Sequence, residues 1–196
     1  MHAARTTRAL DDPPGGILMW IVVGLELAAF GVLFLLIGWM RLEDPGAFSD
    51  GARQLDPATG LRLTLALLTS GWLVAEAVGA YRAKKLALAR RFYVGAIATG
   101  LVFVGLKIHD TAAKIGAGHG LGSSDFWDAY LLGTGFHFLH VMVGLGLLIS
   151  VAPRIRPGSP GARFEDEETA IAGTALFWHM CDVAWFFLFP LFYVRS

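Results

Sequence analysis

Phe177-Trp178-His179-Met180-Cys181-Asp182-Val183-Ala184-Trp185-Phe186-Phe187-Leu188-Phe189 is an apolar run with ionisable side chains set into its middle. Extended to its natural ends, the run is long enough to cross a bilayer. A second run has the same character: Gly133-Thr134-Gly135-Phe136-His137-Phe138-Leu139-His140-Val141-Met142-Val143-Gly144. A charged group at the centre of a membrane helix costs roughly 2.5–3.5 kcal/mol, so side chains in such places usually face a partner or carry a function.

Composition agrees with a membrane protein. Of the 196 residues 55% are hydrophobic and 16% charged, against about 25% charged in an ordinary soluble domain. Five segments have spanning length: about 17–40, 61–80, 92–113, 127–151 and 170–194. Each needs roughly 20 residues to cross, and lipid offers the backbone no hydrogen-bond partners, so each is expected as an α-helix. The expected fold is an all-α, polytopic bundle of five transmembrane helices, one domain over 17–196. A short tail, 1–16, precedes it and carries Pro13-Pro14 without an apolar stretch of signal-peptide type. Lys and Arg in the connections set the orientation. Ten lie on one side, in the tail, the 81–91 loop and the 152–169 loop, and six of the sixteen on the other. The N-terminus is therefore expected in the cytoplasm and the C-terminus outside. Zero net charge argues against nucleic acid as a partner, and one cysteine, Cys181, excludes a disulfide framework.

The polar residues inside the spans are the candidate site. Glu26 sits six to ten residues into the first span, too deep for a short side chain to reach water easily. It suits either a proton-responsive carboxyl or a hydrogen bond to a neighbouring helix. Gly24, Gly31 and Gly38 recur every seven residues and form a helix-packing seam, for this chain's own helices or for a second subunit. Lys107 and Asp110, three apart in the third span, are expected to form an ion pair at its outer boundary. His137 and His140 share one spacing, His179 and Asp182 repeat it, and their depths overlap near the midplane. Two uses follow: ligation of a b-type haem, or a polar network tying the fourth and fifth spans together. The network is the commoner use. The acidic run Glu165-Asp166-Glu167-Glu168 fits a solvated helix start.

At these residues the chain resembles subunit III of the haem-copper oxidase superfamily. Thr134-Gly135-Phe136-His137-x-x-His140-Val141 is similar to that family's T-G-F-H-x-x-H-V segment. Trp178-His179-x-x-Asp182-Val183-x-Trp185-x-x-Leu188-Phe189 is similar to its W-H-x-x-D-x-x-W-x-x-L-F segment, in the right order and separation. Leu68-Thr69-Ser70-Gly71 resembles its L-x-S-G signature, Phe103-x-x-x-Lys107-x-x-Asp110 its F-x-x-x-Q-x-x-E, and Glu26 matches its intramembrane glutamate. Two N-terminal helices of the usual seven-helix subunit are lacking, position 78 is Val where a His is common, and Lys107 and Asp110 replace Gln and Glu. The exchange at Lys107 and Asp110 is closer to the short, five-helix branch, which includes NorE-type proteins found with bacterial nitric oxide reductases and short oxidase subunits III.

The resemblance implies a non-catalytic membrane subunit with no metal or redox cofactor of its own and with bound phospholipid. Its partner would be a catalytic haem-copper subunit of the subunit I type in a bacterial inner membrane. It implies a proton-linked, carbodiimide-reactive carboxyl at Glu26 and a structural network of His137, His140, His179 and Asp182. The alternatives are a NorE-type accessory protein in denitrification and, more distantly, a free-standing b-type membrane cytochrome.

Overall fold

The computed structural model describes residues 13–155 and 164–193; of the tail assigned to 1–16, residues 1–12 lie outside the described residues. The chain forms α1 Ile17–Glu43, α2 Pro45–Gln54, α3 Pro57–Arg82, α4 Leu86–Gly116, α5 Asp125–Val151 and α6 Phe164–Tyr193, with a 3-10 turn, Ala152–Arg154, after α5. All but α2 are long and apolar enough to cross a membrane, so this is an all-α bundle with five spans. The spans run past the apolar segments because helix continues into the polar ends. At 31 residues α4 is about 46 Å long against a hydrocarbon core of about 30 Å.

Local chemistry sets the boundaries. Asp44-Pro45 and Asp56-Pro57 each place a capping carboxylate before a proline whose missing N–H costs nothing at the first helical position. Asp44 accepts from the Ala47 amide at 2.8 Å. Asp56 accepts from the Ala58 and Thr59 amides at 3.0 Å and from the Thr59 hydroxyl at 2.6 Å. The Thr59 hydroxyl, then the Ala58 amide, hold the Asp56 carboxyl below its usual range. Ser124 caps α5 by accepting from the Trp127 amide. Between α3 and α4 the turn is tight: Lys84 takes φ 58°, and the Lys85 amide donates to the Ala80 carbonyl at 2.9 Å. This left-handed closure reverses the chain at once and lays α4 antiparallel along α3.

α6 is the central helix and packs on α1, α3 and α5. Its Trp178 is fully buried where two glycines leave room for the indole. A Cβ at Gly100 of α4 would lie 3.1 Å from that ring, and one at Gly144 of α5 2.9 Å. Trp185, one turn past Asp182, meets Phe103 of α4 edge-on at 5.5 Å and donates Nε1–H to Thr64 Oγ1 of α3 at 2.9 Å. The short α2 covers one end of the bundle: Phe48 packs edge-on against Phe126 of α5, and Gly51 lies directly on that ring. At the opposite end Gly15, with φ 87°, brings its backbone against Gly173 of α6, where a Cβ would lie 2.7 Å from the Gly173 Cα.

Of the two uses open to the seam of Gly24, Gly31 and Gly38, packing against this chain's own helices is not seen among the described residues: a Cβ at any of the three would meet nothing within 4 Å. The face of α1 that packs inward is Val23, Phe30 and Ile37, each one residue earlier and so about 100° around the helix. The acidic run is more than a solvated start. Glu168 pairs with Arg82 at 2.9 Å and Glu167 accepts from the Tyr81 hydroxyl at 3.0 Å, tying α6 to the end of α3.

Candidate functional site

The intramembrane polar residues fall into three separate groups. The first joins α1 to α5. Glu26 lies on the packed side of α1, three residues after Val23 and four before Phe30, and its Oε2 is 2.9 Å from His140 Nε2. The other ring nitrogen, Nδ1, is 2.8 Å from the Phe136 carbonyl. A carbonyl can only accept, so Nδ1 carries a proton. Nε2 then either accepts from a protonated Glu26 or, itself protonated, donates to a carboxylate. In both cases one proton lies on the axis between the two residues, and the pair as a whole is neutral. Phe30 and Phe136 lie 5.0 and 4.6 Å from the His140 ring, and Phe177 stacks at 6.4 Å. The side chains are 33% and 13% exposed, so the contact is shielded but not sealed.

The second group lies around α6. His137 is fully buried, and its Nε2–H donates to the Cys181 carbonyl at 3.1 Å, joining α5 to α6. Phe103 and Trp185 flank its ring at 6.0 and 5.2 Å. His179 and Asp182 bond to each other within α6, Nδ1 to Oδ2 at 3.0 Å. The Asp182 carboxyl fits against Gly71 of α3, where a Cβ would fall onto it. The neighbouring Ser70 donates to the Ala96 carbonyl at 2.7 Å. The Ser70-Gly71 pair thus has two structural uses on successive residues: a hydroxyl that ties α3 to α4, and a gap that admits a carboxyl from α6.

The four residues therefore do not make one network between the fourth and fifth spans. Only His137 spans α5 and α6. His140 turns to α1, Asp182 turns to Gly71 of α3, and His179 bonds back to Asp182 from a partly exposed position. Three residues in a helix are about 300° apart, which leaves His137 and His140 separated by about 60°. In a crowded bundle that angle is enough to send two imidazoles to different neighbours.

The third group stands near the end of the bundle where α4 finishes. Lys107 Nζ and Asp110 Oδ2 are 3.8 Å apart, with 3% and 8% of each residue exposed, so this contact is buried. Lys114 adds a second ammonium on Asp110 Oδ1. The Tyr130 hydroxyl of α5 sits between them: Lys107 Nζ at 3.2 Å, Asp110 Oδ2 at 3.1 Å, and the Tyr193 hydroxyl of α6 at 3.0 Å. One phenol donates once and accepts twice, so Tyr130 satisfies all three by donating to Asp110 and accepting from Lys107 and Tyr193. Sequence patterning missed Tyr130, Tyr193 and Lys114. Lys114 was legible, since 107, 110 and 114 fall at i, i+3 and i+7 on one face.

Fold and site together define a polytopic helical membrane protein whose spans are tied by buried or partly shielded polar contacts, one of them a carboxyl–imidazole pair on a single proton. Residues 48–196 match the family described as cytochrome c oxidase subunit III, and the chain belongs to that family. It is similar to cytochrome c oxidase subunit 3 of Thermostichus vulcanus, 31% identical over 133 residues, which are 68% of this chain and 64% of that protein. It is also similar to the probable quinol oxidase subunit 3 of Staphylococcus saprophyticus, 27% identical over 181 residues, 89% of this chain and 86% of that one. A third relative is the heme-copper oxidase subunit I+III of Aeropyrum pernix, 24% identical over 90% of this chain and 22% of that longer protein. The chain thus spans a little less than two thirds of the length of the Thermostichus relative.

Proposed function

We propose that this chain is the non-catalytic third subunit of a haem-copper terminal oxidase of the cytochrome c oxidase type, acting in aerobic respiratory electron transport. Its role is to sustain the stability and proton uptake of a catalytic subunit I beside it in the membrane. The observation that carries the proton-linked part is the Glu26–His140 contact, one proton shared between two helices in a partly shielded place. The relatives named oxidase subunit 3 support the choice of complex, and the Aeropyrum relative, named subunit I+III, supports subunit I as the neighbour. In this reading the chain holds no redox centre of its own. Both nitrogens of His140, Nε2 of His137 and Nδ1 of His179 are already engaged with protein groups. The chain then lies in a bacterial inner membrane, and the Lys and Arg distribution supports an N-terminus in the cytoplasm and a C-terminus outside.

Affinity purification of the chain from its native membrane tests the proposal. The expected result is a co-purifying subunit I whose complex reduces oxygen, with cytochrome c or a quinol as donor. A nitric oxide reductase in its place would establish the NorE-type role instead. A stoichiometric Soret band in the isolated chain, lost in His140 or His179 variants, would overturn the cofactor-free assignment.

A further inference from the structure

His179 is an imidazole that the bundle leaves partly uncovered. It stands at the centre of the span Glu167–Tyr193, yet its side chain is 41% exposed. Nδ1 is 3.0 Å from Asp182 Oδ2, and Nε2 has no partner among the described residues. The centre of a bilayer favours the uncharged form of such a pair. Asp182 Oδ1 is buried without a partner, so the proton of the contact lies between Oδ2 and Nδ1. Neutrality then puts the remaining proton on Nε2. His179 therefore turns a hydrogen-bond donor outward at mid-depth, where an acyl chain offers no acceptor.

Three helices shape the surface around this donor. Asp182 faces Gly71 of α3 and Phe187 packs on Phe34 of α1, and these two directions are about 140° apart around α6. His179, Val183 and Phe186 fall between them, with Val183 and Phe186 exposed, so α6 is the floor of a valley walled by α3 and α1. On α1, Phe30 meets α5 and Phe34 meets α6. About 40° and 60° further round in the same sense come Gly38 and Gly31, where a Cβ meets nothing. On α3, Leu68 and Ala75 are exposed on the side of Gly71 away from Ser70, which bonds to α4. We propose that this valley docks one membrane-spanning helix of another subunit, apolar where it meets Val183 and Phe186 and carrying a hydroxyl or amide oxygen that accepts from His179 Nε2. The glycines let the backbone of that helix come close. Such docking rests on the reading of the chain as one subunit of a membrane complex, whichever acceptor that complex reduces.

Photo-crosslinking in the intact complex, in native membranes, tests it. Benzoylphenylalanine is placed at Val183 or Phe186, and at Val102 on the outer surface of α4 as a control. Irradiation is expected to join the chain to one other subunit from Val183 and Phe186 and not from Val102, with mass spectrometry locating both ends. His179→Leu is expected to speed the loss of that subunit on detergent dilution about three-fold, the factor that one average interhelical hydrogen bond supplies. His179→Gln, whose amide also donates, is expected to restore most of the retention. Adducts from both valley positions with lipid alone, or with a second copy of this chain, would overturn the proposal, and so would equal loss rates for His179→Leu and the unaltered chain. An unaltered chain that purifies without any other subunit would overturn the reading as a subunit and the docking together. An adduct with a nitric oxide reductase subunit would uphold the docking and overturn the oxidase reading.

Discussion

Removing either member of the Glu26–His140 pair should weaken the hold of α1 on the bundle by an amount that the geometry bounds. The pair is one hydrogen bond at 2.9 Å between partly shielded groups. Interhelical hydrogen bonds in membranes average about 0.6 kcal/mol and reach about 1.7. The flanking rings lower the local dielectric, which moves this pair above the average, so a coupling near 1 kcal/mol is expected. The perturbations are Glu26→Leu, His140→Phe and the double variant. His140→Phe keeps an aromatic ring among Phe30, Phe136 and Phe177, so the change isolates the polar contact. Unfolding in mixed micelles with increasing sodium dodecyl sulfate gives the stabilities. Each single variant should lose about 1 kcal/mol, and the double variant should lose little more than either, because the second removal finds the bond already gone. Glu26→Gln should cost less than about 0.5 kcal/mol, since its amide can donate to Nε2 in place of the shared proton. Single losses that add to within about 0.3 kcal/mol in the double variant would show that the two side chains do not interact, and the one-proton pair would be abandoned.

Three further outcomes are expected. A hydrophobic carbodiimide should modify Glu26 in preference to Glu76, because the reagent attacks the proton-bearing carboxyl and Glu26 shares a proton with His140, while Glu76 is exposed on α3 six residues before its end; peptide mapping that places the adduct on Glu76 alone would contradict this. Gly79→Ala, where a Cβ meets nothing, should stabilise α3 by up to about 1 kcal/mol, whereas Gly71→Ala should destabilise by about 1 kcal/mol as overcrowding against Asp182 outweighs the same propensity gain; equal gains at both positions would mean that the carboxyl does not need that gap. The Asp56 cap, whose carboxyl is held below its usual range, contributes stability that is present above the unfolded-state value and lost as pH falls through the folded one, so Asp56→Asn should flatten the acid side of the stability profile, and an unchanged profile would rule the cap out as its source.

The spans were legible because length and apolarity are local properties of the sequence, and lipid leaves the backbone no alternative to helix. α2 was not, since ten residues with Gly46, Ser49, Asp50 and Gly51 carry no spanning signal. Its start was nonetheless written in Asp44-Pro45, the same signal that opens α3 at Asp56-Pro57. At the site, residue type and depth could be read but partners could not. Spacing says which side chains share a face of one helix; it does not say which helix that face meets. Glu26 and His140 are 114 residues apart, and only the packing of Phe30 onto α5 brings them to one level. Tyr130 went unnoticed for another reason. In an apolar run a tyrosine looks like one more aromatic, and its hydroxyl gains meaning only beside Lys107 and Asp110.

The weakest-held helix explains why the pair at Glu26 matters beyond its own energy. α1 buries only Val23, Phe30 and Ile37, and leaves Leu25, Leu35, Leu36 and Trp39 on its outer surface. In water such burial would fix a helix by the hydrophobic effect, but lipid tails are as apolar as leucine and supply no such drive between spans. Apolar contacts alone would let α1 slide or turn at small cost. A directional bond at 2.9 Å, one third of the way along the helix, removes both freedoms. It sets depth, because Oε2 must meet Nε2, and it sets rotation, because Glu26 must face α5. The same rotation holds Gly24, Gly31 and Gly38 away from the bundle. The carboxyl is thus a register pin for α1, and the Glu26→Gln variant separates that role from the proposed proton-linked one: it keeps a hydrogen bond to His140 and removes the carboxyl.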